Sequence, residues 1–320
     1  MIEVLEAGPF ATVQDHGRPG HLGLGLARGG AADRRALAEA TALLGRGGAA
    51  IETAGAVLRL RFEVATVVAL TGAPARADLD GAPLAWHAAH PVPAGAVLAV
   101  RPGAATYSYV TPLGGVDAPV VMGSRSVQAA AGLGRPLAAG DRLPVAAAQG
   151  PATTLGAPED RFAGGRLRCV ATPQTPLYPP EAVARFLATT FRRDPRADRR
   201  GVRLASDGPP LMAEGQLALL SDFVLPGDVQ TTGDGVPYVL GPDCQTTGGY
   251  PRIAHVIAAD LPRALQAPAG APLTFEMIDL AAARAAAPPS PRAVPMVRDP
   301  SRMADLLSYG LVDGVVDARG

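Results

Sequence analysis

The chain has 320 residues, enough for two ordinary domains, and its formal net charge is zero, which argues against nucleic acid or an anionic membrane bound through bulk charge. No apolar run approaches a membrane span, the start MIEVLEAGPF lacks signal-peptide character, and Cys169 and Cys244 make no disulfide framework, so a cytoplasmic location is expected. All 29 basic side chains are Arg, which excludes a Walker-type phosphate loop, a Schiff base, a Ser–Lys nucleophile pair and a covalent biotin on this chain, since Arg stays protonated and serves as neither base nor acyl acceptor.

Along the chain, GPFATVQDHGRPG (residues 8–20) first packs Gln14, Asp15 and Arg18 into a turn framed by Gly and Pro. Either the loop offers an amide, a carboxylate and a guanidinium to a polar ligand, or it is a hairpin in which Asp15 bonds local backbone and Arg18 pairs with it. The spacing alone favours the hairpin. Next, GGAAD (29–33) leads into a helix predicted from about Arg34 to Leu44, with Asp33 as N-cap and Gly45 as stop. A capping Asp occupies the place where an anion would sit.

Residues 57–62, VLRLRF, alternate with period two as a half-buried strand does. Further strands are predicted at 66–70, 97–100, 107–110, 167–171, 236–240 and 273–278. His87 and His90 have H-x-x-H spacing but no matching carboxylates or cysteines, so no structural metal is expected. Similar turns recur at 94–98 (AGAVL), 139–143 (AGDRL) and 269–273 (AGAPL), each beside a strand, and suggest two similar halves. Many short strands with Gly/Pro turns point to barrels or sandwiches. GSRS (123–126) sets Arg125 between hydroxyls, as an anion site or a surface loop would.

The Ala-, Gly- and Pro-rich stretch 146–165 separates an N-terminal β lobe, 1–150, from a C-terminal lobe, 165–285. Pro179-Pro180 precedes a helix predicted over 181–190, and Pro262 opens a short one to Leu265. DRRGVRL (198–204) is a charged run, ordinarily a solvated face. PGDVQ (226–230) and GDG (233–235) lead into the strand at 236–240. Gln230, Asp234 and Asp243 therefore fall near the two ends of one hairpin, where carboxylates orient water, accept a proton or hold a cation, or simply favour turns. GPDCQTTGGYPRIA (241–254) holds more hydrogen-bonding side chains than a turn needs. Nothing nearby assigns Cys244 a base, so it reads as a small buried residue, and there is no G-x-S-x-G elbow. Residues 286–320 read as a Pro-rich linker and short tail, with a helix predicted over 299–307.

Taken in order, GPFATVQDHGRPG, GGAAD, IETAGAVLRLRF, GSRS, DRRGVRL, PGDVQTTGDG and DCQTTGGYPRIAHVIAADLPR resemble the family called biotin-dependent carboxyltransferase-like, or allophanate hydrolase subunit 2, over residues 2 to about 285. The resemblance implies a mainly β fold, with two β-barrel-like lobes of cyclophilin-like character and a few short helices. It implies pairing with a homologous B subunit and a third hydrolase subunit, with the shared site where the β-barrel subunits meet. It implies catalytic roles for Asp15, Asp234 and Gln245. It implies substrate or nucleotide binding by Gln14, Arg18, Arg125, Asp198, Arg203, Thr246, Thr247 and Tyr250, with no protein-held metal. The chain departs from the family pattern at Cys244, where Arg is common, and at Arg200 and Ala32, where Met is common. Arg125 and Arg252 are the candidates to replace the charge missing at Cys244.

The activity implied first is that of the C subunit of a bacterial ATP-dependent 5-oxoprolinase, opening a cyclic amide to glutamate with partner subunits that share ATP and Mg²⁺. Such chemistry needs positioning and charge stabilisation more than a covalent nucleophile, so the missing Lys is no obstacle. The alternatives are a carboxyltransferase subunit acting on carboxybiotin and a urea-like acceptor, or a regulatory antagonist of a kinase inhibitor. Allophanate hydrolysis of the amidase type is excluded, because it uses a Ser–Ser–Lys set. The chain is expected to be inactive alone and to expose an apolar pairing surface.

Overall fold

The computed structural model describes residues 1–215, 219–287 and 290–296. The alternation of VLRLRF is realised in the strand Leu58–Phe62, where Leu58, Leu60 and Phe62 are buried and Arg59 and Arg61 face solvent. This strand lies between Ile2–Ala7 and Val97–Arg101 in a six-stranded sheet. A seven-stranded sheet centred on Ala50–Ala54, Tyr107–Pro112 and Thr66–Gly72 packs against it. Their shared core joins Leu58, Leu60 and Phe62 to Ile51, Leu70 and Val110.

Thr66–Gly72 is buried along its whole length because both its faces are covered. Val68 and Leu70 join the core between the sheets, while Val67 and Ala69 pack with Ala40 and Leu43 of the helix Arg34–Leu44. That double burial is why TVVALTG reads as a continuous apolar run instead of an alternating one. The helix starts where Asp33 accepts from Ala36 N at 3.1 Å and stops at Gly45, with φ 76°. Within the Ala/Gly/Pro-rich stretch, Thr153–Leu155 adds to the seven-stranded sheet beside Ala88–Val92 and pairs with Ala293–Pro295. The helix predicted over 299–307 lies outside the described residues.

The second lobe is a closed seven-stranded barrel, in the order Gly165–Val170, Arg252–Val256, Asp228–Thr231, Pro237–Leu240, Gly201–Ala205, Phe191–Asp198, Pro272–Met277. It closes through a parallel pairing of its first and last strands, with Leu167 opposite Phe275. The helix Pro180–Ala188 contributes Phe186, whose ring lies 4.5 Å from Phe275 and 5.7 Å from Phe191, centroid to centroid. The three recurring turns share one hydrogen-bond pattern across both lobes. Gly95, Gly140 and Gly270 take φ of 87°, 91° and 82° and donate their N–H to Phe62, Val4 and Arg193 carbonyls. Only Gly takes that backbone without strain.

In the barrel strand Phe191–Asp198 the register slips between Arg193 and Ala197, so that Asp194-Pro195-Arg196 bulge out of the ladder. Pro195 is tolerated there because a bulge needs no ladder N–H from it. The lobes also share a core, in which Ala36, Leu37, Tyr107 and Tyr109 pack with barrel residues. Among the described residues no helix is long and apolar enough to cross a membrane.

Candidate functional site

A cleft of about 510 Å³ opens on the barrel wall between the bulged hairpin and the strands Asp228–Thr231 and Pro237–Leu240. Gln230, Gln245, Tyr238 and Tyr250 line it, facing Arg196, Asp198 and Arg200. Gln245 Nε2 donates to Gln230 Oε1 at 3.0 Å, and Gln230 Nε2 donates to the Tyr250 carbonyl at 3.1 Å. This chain of amides fixes the Gln245 side chain and leaves its Oε1 without a partner among the described residues. The Tyr238 and Tyr250 hydroxyls likewise have none. The cleft therefore presents unspent acceptors and donors on an ordered frame, which is what orients a polar ligand.

The hairpin rim is held by ion pairs. Asp194 accepts from Arg196 and, at 2.6 Å, from Arg203 Nη1. The Arg196 side chain first, then its backbone N–H and Arg203, hold the Asp194 carboxyl well below the usual carboxylate range despite burial. Burial opposes ionisation of Asp198, but Arg200 outweighs it and lowers that carboxyl too.

Asp15 and its neighbours form a second cluster, in the first lobe. Asp15 Oδ1 accepts from Ser124 Oγ and Ser126 Oγ, both at 2.5 Å, and from Gly17 N at 2.8 Å, while Oδ2 accepts from Arg125 N at 2.7 Å. Burial pushes its pKa up, but these four bonds win and lower it. Gln14 is fully buried and donates to Thr12 Oγ1 and the Val127 carbonyl, both at 3.0 Å. Arg18, 1% exposed, donates to Gln128 Oε1 at 3.1 Å and the Ser126 carbonyl at 2.5 Å, not to Asp15. The Arg125 guanidinium pairs with Asp117.

Gly29 and Gly30 connect this cluster to the second lobe. Gly29 N donates to the Pro242 carbonyl at 3.1 Å. A Cβ on Gly30, whose φ is 86°, would stand 2.6 Å from Gly17 N. Arg199 completes the junction. It donates from Nε to Asp243 at 2.6 Å and from Nη2 to the Gly30 carbonyl at 2.6 Å, and pairs with Glu52. Glu52 also accepts from Ala32 N at 2.9 Å and the Tyr109 hydroxyl at 2.6 Å. Further along the junction, fully buried Arg161 binds Asp33 and Glu39, and Gln266 Nε2 donates to Asp33 Oδ2 at 2.9 Å.

The expected site residues thus fall into separate groups. Asp198, Gln245 and Tyr250 share the barrel cleft. Gln14, Asp15, Arg18 and Arg125 make the first-lobe cluster. Arg203 and Asp234 line a smaller groove of about 160 Å³ on the other side of the hairpin, and Asp234 accepts the Thr232 hydroxyl. Thr246 and Thr247 flank the cleft, the former accepting from Val224 N at 3.1 Å and the latter pairing with Phe223. Sequence reasoning missed Glu52, Arg196, Arg199 and Tyr238. The doubled Asp-x-Arg spacing in DPRADRR was the available signal for Arg196.

Asp234 and Asp243 stand at opposite ends of their hairpin. Among the described residues no group of three or more His, Cys, Asp or Glu is placed to hold a metal ion. Cys244 is buried beside Val224 and Leu240, and burial pushes its thiol up to about 12. Neither candidate replacement for a charge there is free. Arg252 is tied to Asp222, Gln174 and the Phe223 carbonyl, and Arg125 to Asp117.

Comparison with known proteins agrees with this architecture. The family model described as carboxyltransferase domain, subdomain A and B, matches residues 24–277. The C subunit of 5-oxoprolinase from Escherichia coli is 35% identical over 88% of this chain and 92% of its own length. That of Haemophilus influenzae is 31% identical over the same shares. Among solved structures, the protein designated TTHA0988 superposes with a TM-score of 0.78 at 32% identity, over 86% of this chain and 55% of that one. The urea amidolyase of K. lactis superposes with a TM-score of 0.78 at 25% identity, over 88% of this chain but 19% of its own. The chain thus spans about half of the first solved relative and a fifth of the second. It belongs to the family of carboxyltransferase domains with subdomains A and B.

Proposed function

We propose that the chain is the C subunit of an ATP-dependent 5-oxoprolinase, opening 5-oxoproline to glutamate together with a homologous B subunit and a third hydrolase subunit. The observation that carries this reading is the amide-lined barrel cleft, in a chain matched nearly end to end by 5-oxoprolinase C subunits. A lactam has an N–H donor and a carbonyl acceptor side by side. Gln245 Oε1 is free to accept the N–H, and the Tyr238 and Tyr250 hydroxyls are free to donate to the carbonyl oxygen, where charge develops as the ring opens. Gln230 positions Gln245 through the 3.0 Å bond between their amides. ATP, shared with the partner subunits, supplies the phosphoryl group that makes a lactam carbonyl open to water. Mg²⁺ accompanies the nucleotide, and no step is assigned to a cation held by this chain alone. Exposed Leu220, Phe223 and Leu225 near Tyr250 give a partner subunit an apolar surface beside the cleft.

The second reading, carboxyl transfer from carboxybiotin to a urea-like acceptor, draws on the superposition with urea amidolyase. The same amides and phenols serve an acceptor nitrogen and a ureido oxygen. The test is ATP-dependent release of glutamate from 5-oxoproline by the chain co-expressed with the products of its neighbouring genes. Q245A is expected to cut turnover by roughly ten- to a hundred-fold while the complex still assembles, the scale of losing a positioned polar contact. An intact complex that releases no glutamate would sink the hydrolase reading in favour of carboxyl transfer.

A further inference from the structure

The run DPRADRR holds one local unit twice, Asp194-Pro195-Arg196 and Asp198-Arg199-Arg200. In both, the Asp carboxylate accepts the backbone N–H of the Arg two residues later at 2.8 Å. In both it also accepts that Arg's Nε at 2.9 Å and its Nη2, at 2.8 Å for Arg196 and 2.7 Å for Arg200. An exposed Arg is ordinarily a free rotor. Two guanidinium bonds to one carboxylate, which the Arg backbone N–H also holds, bias each of these towards a single orientation and lower the ordering cost of binding.

The first unit occupies the bulge and the second the hairpin tip, four residues apart, and Arg196 and Arg200 both line the cleft. Each leaves its Nη1 without a partner among the described residues. Arg203 braces Asp194 from the groove on the other side of the hairpin, which Asp234 also lines. The two free Nη1 groups share the cleft with the unspent amide carbonyl and phenols of Gln245, Tyr238 and Tyr250.

We propose that the paired Asp-x-Arg units are a carboxylate clamp, and that the cleft selects amides or ureides that carry a carboxylate over neutral ones. The proposal rests on the preceding reading only in taking the cleft as the substrate site. The clamp makes Arg196 and Arg200 specificity-determining residues. A carboxylate accepts from the two Nη1 groups, while the amide end of the same molecule meets Gln245 and the phenols. Urea or an unsubstituted lactam fills only the second half of the site and leaves the two Nη1 groups unmatched.

The test is calorimetric binding to the chain assembled with its partner subunits, using two acidic probes, 5-oxoproline and N-carbamoylglycine, and two neutral ones, 2-pyrrolidinone and urea. The acidic probes are expected to bind about ten-fold more tightly than the neutral ones, the scale of one charge-assisted hydrogen bond. R196Q/R200Q is expected to remove that advantage, lowering affinity for the acidic probes about ten-fold more than for the neutral ones. R196K/R200K restores part of it, because charge returns without the fork. Equal binding of acidic probes by wild type and R196Q/R200Q, or parallel loss for acidic and neutral probes, would overturn the clamp. The two proposals fail separately. Acidic probes held through these arginines without 5-oxoproline turnover would remove the activity and keep the clamp. Turnover with a KM untouched in R196Q/R200Q would keep the activity and remove the clamp.

Discussion

Asp15 shows what one side chain contributes and how much of that is visible in advance. Its local bond to Gly17 N is the Asx turn that the hairpin reading anticipates. The other donors, Ser124, Ser126 and the Arg125 backbone, come from more than a hundred residues away, and no local pattern joins GSRS to QDHGR. Arg18 does not pair with Asp15 because Gln128 and two backbone carbonyls take its guanidinium. D15N should cost about 1–3 kcal/mol, since the amide brings donors to face donors. The pH dependence follows from the direction of the shift. The folded pKa lies below the ordinary 3.8, so the carboxylate's contribution is fully present above the unfolded value and is lost as pH falls through the folded one. Urea unfolding of wild type and D15N should therefore show a gap at pH 7 that narrows below about pH 4. A gap independent of pH would mean that ionisation of Asp15 contributes nothing. At Gly30 the close approach to Gly17 N at positive φ predicts that G30A loses about 1–3 kcal/mol, read as a lower urea midpoint.

At the scale of the element, the hairpin Phe191–Ala205 divides its arginines between tasks. Arg196 and Arg200 line the cleft, Arg203 braces Asp194, and Arg199, at the same tip as Arg200, reaches Glu52 and Asp243 in the junction. A run read as a solvated face is thus half interior. Strands such as Leu58–Phe62 are legible because burial follows their period of two, and the helix Arg34–Leu44 because Asp and Gly punctuate it. Residues 199–200 form a two-residue tip, where periodicity assigns no side, and the partners of Arg199 lie 147 and 44 residues away. Its loss leaves Glu52, 1% exposed, without its counter-charge. R199A should therefore destabilise the chain by about 3–5 kcal/mol, and R199K should recover little, because an ammonium cannot span two carboxylates and the Gly30 carbonyl. Denaturant midpoints of the two variants check this. A loss below about 1 kcal/mol for R199A would show that the junction tolerates an unpaired carboxylate.

For the whole molecule, Thr153–Leu155 within the Ala-, Gly- and Pro-rich stretch and Ala293–Pro295 beyond the barrel both join the first-lobe sheet, and composition carries no information about how stacked sheets and closed barrel are joined. The joint is polar and buried. Gln266 of the barrel lobe exchanges 2.8 Å bonds with both backbone groups of Tyr107 and reaches Asp33, Arg161 links Asp33 to Glu39, and Arg199 links Asp243 to Glu52. Around these bonds Ala36, Leu37 and Tyr109 pack into the core cluster that also holds the barrel interior. Each orphaned buried group costs about 1–5 kcal/mol, against a total stability of about 5–15 kcal/mol for an ordinary domain. A fragment of residues 160–285 would strip the first-lobe partners from Arg161, Arg199 and Gln266 together and bare the apolar surface beneath Tyr107 and Tyr109. That fragment should lack a cooperative thermal transition and near-UV ellipticity, while the full chain unfolds in one step with matching calorimetric and van't Hoff enthalpies. A fragment that melts sharply would show the barrel to be an autonomous unit and the junction a docking surface. A full chain with two resolved transitions would show the same from the other side. The cleft makes single-step unfolding the physical expectation, because its walls come from the hairpin, whose Arg199 pairs with Glu52 and bonds the Gly30 carbonyl, and from the 241–250 loop, whose Pro242 carbonyl accepts from Gly29 N, and those bonds hold only while the first lobe is folded.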